Sequence, residues 1–380
     1  MRKIAAIIFF GMFCTIGVAH IGKDLDSILS SPYLEKTQLG LMVCDLTNDT
    51  VIFARGEKQI MRPASTMKLL TAITALDMLG STYDYRTQMF MEGAMNDGVL
   101  DGNICLYGGF DAAFDESDVK AFADALHREG IEAIRGKIYA DLSFKDSIRL
   151  GEGWCWDDEN PVLSPLLMGD KGSEDAVIEA LKRELNVPVM NEEVMVDEAL
   201  MFLERVHPIT VILQRMIKES DNLYAESMLY QLAHLAGGDS ATADDGLELI
   251  REKVHHVGLN PDDYRFADGS GLSLYNYASA ELLCRMLRFA YLYPEIYDAL
   301  YDALPIAAHD GTLKNRMHGT LAAGNVRAKT GTLTGVSSLA GYCTAASGST
   351  LCFAIISHGA LQQEEARKLQ DSICAVLCEY

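Results

Sequence analysis

Three short residue combinations in this sequence carry the groups needed for covalent chemistry. Ser65-Thr66-Met67-Lys68 places a hydroxyl and an amine three residues apart. Residues at i and i+3 share a helix face, so on a helix the Lys68 amine can reach the Ser65 hydroxyl. A serine becomes a nucleophile only beside a base, and a lysine serves when burial or neighbouring charge lowers its pKa. Ser220-Asp221-Asn222 adds a second hydroxyl and a carboxamide, and Lys329-Thr330-Gly331-Thr332 a second amine flanked by hydroxyls and a glycine. Singly, each has a plain explanation. S-x-x-K arises about once by chance in a chain of this length, and K-T-G in roughly one chain in ten. A serine N-cap with a surface lysine, a cluster of capping residues, and an edge strand with a solvated lysine would account for them. Found together, in this order and on suitable elements, they point to acyl transfer through Ser65.

The elements around them can be read from hydrophobic periodicity. Pro63 and Ser65 open a helix whose apolar spacing continues to Leu79. Two strands, 38–46 and 50–56, precede it around the turn Thr47-Asn48-Asp49. Residues 85–195 change texture, with short strand-like runs, one helical stretch at 117–130 and many Gly/Asp turns. Helical patterns dominate from about 200, with Ser220-Asp221-Asn222 at a junction between two of them. Lys329 sits in the first of three strand-like runs near the end, and a final amphipathic helix closes the chain. This order predicts an α/β (α+β) protein with a sheet assembled from both ends of the chain. Residues 20–84 and 196–380 would form one discontinuous catalytic domain, and 85–195 an inserted accessory α/β subdomain.

The 380 residues are 49% hydrophobic and 23% charged, a globular composition sufficient for about two to three domains. The formal net charge of −22 argues against nucleic-acid binding and against electrostatic retention on anionic lipid. Arg2 and Lys3, the apolar run Ile4 to Val18 and the small residues Gly17-Val18-Ala19 form a secretory signal peptide pattern over residues 1–19. That run falls short of the about 20 residues that cross a bilayer, so cleavage before His20 is expected rather than retention as an anchor. The mature chain is then exported, periplasmic or extracytoplasmic. Eight cysteines follow Cys14, an even number that permits disulfides, but most stand in apolar runs where buried thiols are as well accommodated. No C-x-x-C or H-E-x-x-H pattern occurs, and no cofactor or metal is expected.

With its three motifs in order, the chain resembles the penicillin-binding proteins, in particular the D-alanyl-D-alanine carboxypeptidase/endopeptidase family of class C low-molecular-mass type. The segments LYGGFDAAF (106–114), GEGWCWDDEN (151–160), FADGSGLSLYN (266–276) and GVSSLAGY (335–342) extend the resemblance over most of the chain. It implies a transpeptidase-like fold, an antiparallel sheet with helices on both faces, split by an insertion. Ser220 follows Ser65 by 155 positions, fewer than that family usually carries, which implies a reduced insertion. It also implies a serine-type carboxypeptidase acting on peptidoglycan stem peptides, with endopeptidase activity as a further expectation and β-lactams as acylating inhibitors. Ser65 would attack the carbonyl between two terminal D-alanines, with Lys68 as base. Ser220 would relay a proton to the leaving amine, and Lys329 would keep the local potential positive. Asn222 would bind the substrate amide, and Thr330 and Thr332, beside Gly331, the terminal carboxylate. Backbone N–H groups of Ser65 and Thr332 would form the oxyanion hole, each donor contributing about 3–4 kcal/mol in comparable sites.

A serine β-lactamase shares the nucleophile and the motifs, but no E-x-x-L-N lies between Asn222 and Lys329 to direct deacylation. A catalytically weak cell-wall binder or penicillin sensor would be a different class, and intact Ser65, Lys68 and Lys329 argue against it. No G-x-S-x-G elbow supports an α/β-hydrolase. Asp221 is read as structural, Asp268, Ser270 and Ser273 as parts of a glycine turn, and Trp154-Cys155-Trp156 as a packing cluster.

Overall fold

The computed structural model describes residues 21–157, 160–169, 173–196 and 199–380. The expected signal peptide lies outside the described residues. The expected terminal strands are present: β1 (Gln38–Asp45), β2 (Thr50–Arg55), β8 (Arg327–Leu333), β9 (Val336–Thr344) and β10 (Thr350–His358). They form one antiparallel sheet in the order β2-β1-β10-β9-β8. Side chains alternate between the faces of a strand, and this sheet is covered on both. Leu39, Leu41, Val43, Phe353 and Ile355 pack on one side against Leu369, Ile373 and Leu377 of the last helix, α9 (Gln363–Glu379). Met42, Cys44, Cys352, Ala354 and Ile356 face the larger helical core on the other. Burial on both faces is why these strands read as nearly continuous apolar runs.

The helical core holds the elements that carry the motifs. α1 (Met67–Leu79) is buried from Met67 to Leu76, and α5 (Asn222–Gly237) from Leu223 to Ala233. Helices apolar on every side belong inside a domain. Around them pack α4 (Ile209–Lys218), α6 (Ala243–His256), α7 (Ala280–Leu292) and α8 (Pro294–Ala303).

A second sheet has the order β5-β4-β3-β7, with β6 paired to β4. It comprises β3 (Asp84–Asn96), β4 (Val99–Gly108), β5 (Ala133–Ile134), β6 (Ile138–Asp141) and β7 (Ala199–Pro208). Its own core includes residues of α2 (Glu116–Arg128) and α3 (Glu174–Leu185). Two elements differ from the sequence reading. Residues 199–208, expected within the helical block, pair antiparallel with β3 from Glu92↔Ala199 to Asp84↔Pro208. This strand is exposed or half-buried throughout, so it lacks the apolar alternation that marks a strand in sequence. The apolar spacing over residues 278–293 predicts one helix, and a second, α8, follows it at once, because Pro294 stands in the first turn of α8, where a missing N–H costs nothing. Among the described residues the cysteines form no disulfide, and all are buried except half-buried Cys155. No helix among them is long and apolar enough to cross a membrane.

Candidate active site

Ser65 lies on a 3-10 turn, Ala64–Thr66, leading into α1. Ala64 has φ +50°, a left-handed conformation uncommon for a non-glycine residue, and the turn is held from several sides. Pro63 O accepts hydrogen bonds from Ser338 Oγ of β9 (2.6 Å) and Thr66 Oγ1 (2.6 Å). His358 Nε2 of β10 accepts from the Arg62 N–H (2.7 Å). Gly271 leaves room for the Ala64 carbonyl, which a side chain there would overlap. Gly331 of β8 is as close: a Cβ would collide with Ser338 Oγ and stand 2.9 Å from both Pro63 O and Ser65 N. Gly331→Ala should therefore displace the serine turn and slow acylation of Ser65 by about 100-fold, the usual cost of an approximately 1 Å misplacement. Stopped-flow acylation with a chromogenic β-lactam checks this, and a rate within threefold of wild type would refute the contact.

Lys68, one residue into α1, is fully buried. Its Nζ lies 3.2 Å from Ser65 Oγ, 2.6 Å from Asn222 Oδ1 and 2.8 Å from Ser270 O, donating to each. Burial pushes its pKa down to about 8, while the charges of Asp268, Glu226 and Asp221 act upward. A lysine in this range supplies a substantial neutral fraction near neutral pH.

Ser220 joins α4 to α5 at φ +65°, also left-handed. Asp221 caps α5, accepting from Leu223 N (3.0 Å) and Tyr224 N (3.4 Å), and pairs with Arg215 (2.9 Å). This is the structural role expected of it, and it aims Asn222 at Lys68. Lys329 Nζ, buried in β8, donates to Ser220 Oγ (2.7 Å) and Thr330 O (2.8 Å). Burial, with the Lys68 charge, pushes Lys329 well below the usual lysine range. The Lys329–Ser220 contact joins the second amine to the second hydroxyl at the cleft. A cleft of about 580 Å³ runs past Ser65, Ser220, Thr330, Gly331 and Thr332, with Thr312 opposite. Thr330 Oγ1 donates to Thr312 Oγ1 (2.8 Å). The sequence reading did not single out Thr312.

It also missed the support beneath Lys68. Asp268 is buried and accepts five hydrogen bonds: Trp154 Nε1 (2.8 Å), Ser270 Oγ (3.2 Å), Gly271 N (2.7 Å), Ser273 N (2.6 Å) and Asn276 Nδ2 (2.7 Å). The glycine turn expected there exists, and it presents the Ser270 carbonyl to Lys68. The Trp154-Cys155-Trp156 cluster divides: Trp154 braces Asp268, whereas Trp156 is 93% exposed. Glu226 of α5 accepts from Gly269 N (3.2 Å) and Ser270 N (2.8 Å), and burial with the Asp268 charge pushes it up to about 8. A glutamate inside NLYAESMLY has no signal in sequence beyond being acidic on an otherwise buried helix.

A serine backed by a desolvated lysine, a second serine–lysine pair across the cleft, and an antiparallel sheet between helical layers define an acyl-transferring serine hydrolase of penicillin-recognising fold. The chain belongs to the D-Ala-D-Ala carboxypeptidase 3 (S13) family, whose family model matches residues 21–172 and 178–380. It is a serine-type D-Ala-D-Ala carboxypeptidase, a hydrolase, as the sequence motifs led us to expect. It is 26% identical to the D-alanyl-D-alanine carboxypeptidase of Actinomadura sp. (strain R39), covering 96% of this chain and 85% of that protein. That alignment runs over 465 positions against 380 residues here, so the relative carries residues that this chain lacks. Carboxypeptidase DacB of Mycolicibacterium smegmatis is 28% identical, covering 90% of this chain and 82% of that one. In fold, the chain matches the crystal structure of penicillin binding protein 4 from Haemophilus influenzae with a TM-score of 0.80 and 21% identity, covering 96% and 99% of the two chains.

Proposed function

We propose that this carboxypeptidase works through a Ser65 acyl-enzyme on peptidoglycan stem peptides and is acylated by β-lactams at the same serine. The observation that carries the reading is the contact at 3.2 Å between the Nζ of fully buried Lys68 and the Oγ of Ser65, which is half-buried at the cleft. Neutral Lys68 removes the Ser65 proton as Oγ bonds to the carbonyl carbon of the terminal peptide. The N–H groups of Ser65 and Thr332 hold the oxyanion. As the C–N bond breaks, Ser220 passes a proton to the departing D-alanine amine and is re-protonated from Lys329. Water then hydrolyses the ester, and one hard amide cleavage has become two easier steps. Thr330 and Thr332 bind the terminal carboxylate. That anion favours the protonated form of Lys329, which keeps the local potential positive. Asn222 holds both Lys68 and the substrate amide. Endopeptidase action on cross-links would use the same machinery, and export of the mature chain from residue 20 would bring it to its substrate.

The sequence reading draws the catalytic unit as 20–84 and 196–380 with 85–195 inserted; we propose that its second segment begins instead after β7, at Ile209. Because β7 pairs with β3, the second crossing between them falls near Pro208. The inserted unit would orient the enzyme on polymeric peptidoglycan.

Intact mass after incubation with benzylpenicillin tests the reading. Wild type should carry one penicilloyl adduct and Ser65→Ala none. Rapid loss of penicillin without an adduct would move the assignment to a β-lactamase.

The pH dependence follows from Lys68. Its folded pKa is lowered, so the base is protonated and inactive well below pH 8 and free above it. The second-order acylation rate should rise about tenfold per pH unit below roughly pH 7 and level off above about pH 8–9. A flat profile from pH 5 to 9 would exclude Lys68 as the titrating base.

A further inference from the structure

Three cysteines distant in sequence meet on the side of the catalytic sheet that faces the helical core. Cys44 and Cys352 stand directly opposite each other on β1 and β10, and Cys284 comes down from α7. All three are buried, and their sulfur atoms lie within 4.8 Å of one another. The Cys284 thiol donates to Met42 O (3.4 Å) and the Cys352 thiol to Cys284 O (3.8 Å). A separate pocket of about 560 Å³ reaches Cys44 and Cys284 from outside, with Asp49, Arg285 and Arg288 among its lining. It is not the cleft that holds Ser65.

We propose that Cys44, Cys284 and Cys352 form a binding site for a thiophilic d10 cation, monovalent copper or zinc, reached through this pocket. The argument is geometric and chemical. A metal bonded to three sulfurs at about 2.3 Å in one plane needs them about 4.0 Å apart, so the cluster closes on an ion with shifts of under about 1 Å. An all-sulfur donor set selects soft ions and rejects magnesium, calcium and manganese. The thiols bind as thiolates: three S–H protons leave as three metal–sulfur bonds form, and no oxidant or reductant is required. The resulting anionic centre has the cationic Arg285 and Arg288 beside its entrance. A three-coordinate copper(I) site is complete with these ligands. Zinc would take a fourth ligand, such as water, from the pocket.

The experiment uses the full exported chain, reduced and kept anaerobic. It is titrated with copper(I) against a chromophoric chelator and, separately, with zinc(II). One ion per chain should be retained against the chelator and should raise Tm. Preference for copper(I) or for zinc(II) identifies the ion, and either supports the site. Cys44→Ser and Cys352→Ser should each weaken binding by at least about 100-fold, the upper end of what loss of an outer-shell partner alone produces. Cys155→Ser, remote in sequence and half-buried, should leave binding unchanged. Circular dichroism and the Ser65 penicilloyl adduct report folding of each variant independently of the ion. Failure to retain one ion, or binding unaltered in folded Cys44→Ser, would overturn the proposal. So would a thiol count and intact mass showing Cys44 and Cys352 joined as a disulfide in the protein as isolated.

Discussion

Lys68→Ala should lower the rate of Ser65 acylation by about 10³-fold, within the 10²–10⁴ range that general bases contribute. Ser65 is half-buried at the cleft, and its hydroxyl has one amine beside it in hydrogen-bonding reach, Lys68 Nζ at 3.2 Å. The second amine, Lys329, is bonded to Ser220 instead. Lys68→Arg distinguishes base from charge. Arginine keeps the cation opposite Glu226 and Asp268 but stays protonated throughout the accessible pH range, so it should be as slow as the alanine variant. The two variants should differ in stability. Alanine leaves Asn222 Oδ1 and Ser270 O without the amine they accept from, and each such buried group left unsatisfied costs about 1–3 kcal/mol. Single-turnover acylation and thermal melts, run together, separate the effects. A rate for either variant within about tenfold of wild type would place the base elsewhere.

Asp268→Ala should be the most destabilising single change near the site. Five donors converge on this carboxylate, four of them from the Asp268–Asn276 turn and one from Trp154. Removing the acceptor strands them, and each buried donor left unsatisfied costs about 1–3 kcal/mol. Partial relaxation should bring the total to about 4–5 kcal/mol, at the exceptional end for one substitution. Tm should fall by roughly 6 °C for a chain of this size. The catalytic effect has a separate route. Gly271 accommodates the Ala64 carbonyl, and Ser270 O holds Lys68, so a loosened turn frees both the serine and its base. Acylation at a temperature where the variant is still folded should fall along with stability. A Tm within 2 °C of wild type, measured by differential scanning calorimetry, would show that the turn is held by other contacts.

These two residues show how unequally the site was written in the sequence. Lys68 was legible because S-x-x-K on a helix puts an amine one turn from a hydroxyl, a local spacing that sequence displays. Ser220 and Lys329 were legible by order and residue type. Asp268 was visible only as part of a glycine turn. Its function comes from Trp154, 114 positions earlier, and from its proximity to α1. Glu226 is one polar residue in a helix, and nothing local distinguishes a solvated glutamate from one that accepts two backbone N–H groups of another segment.

The strands β1, β8, β9 and β10 and most of the helices were readable because local hydrophobic period reports which faces are buried. β7 escaped because it is exposed or half-buried throughout, and α8 because it follows α7 without a loop. By itself, then, the sequence pointed to Ser65 as the proposed nucleophile, to Lys68 and Lys329, and to a sheet built from both chain ends. The tertiary structure decided the burial that pushes the pKa of both lysines down, since desolvation depends on what surrounds a group in space. It also decided the carboxylate support below them and the meeting of Cys44, Cys284 and Cys352. Those properties arise between segments far apart in the chain, and no spacing within a segment encodes them.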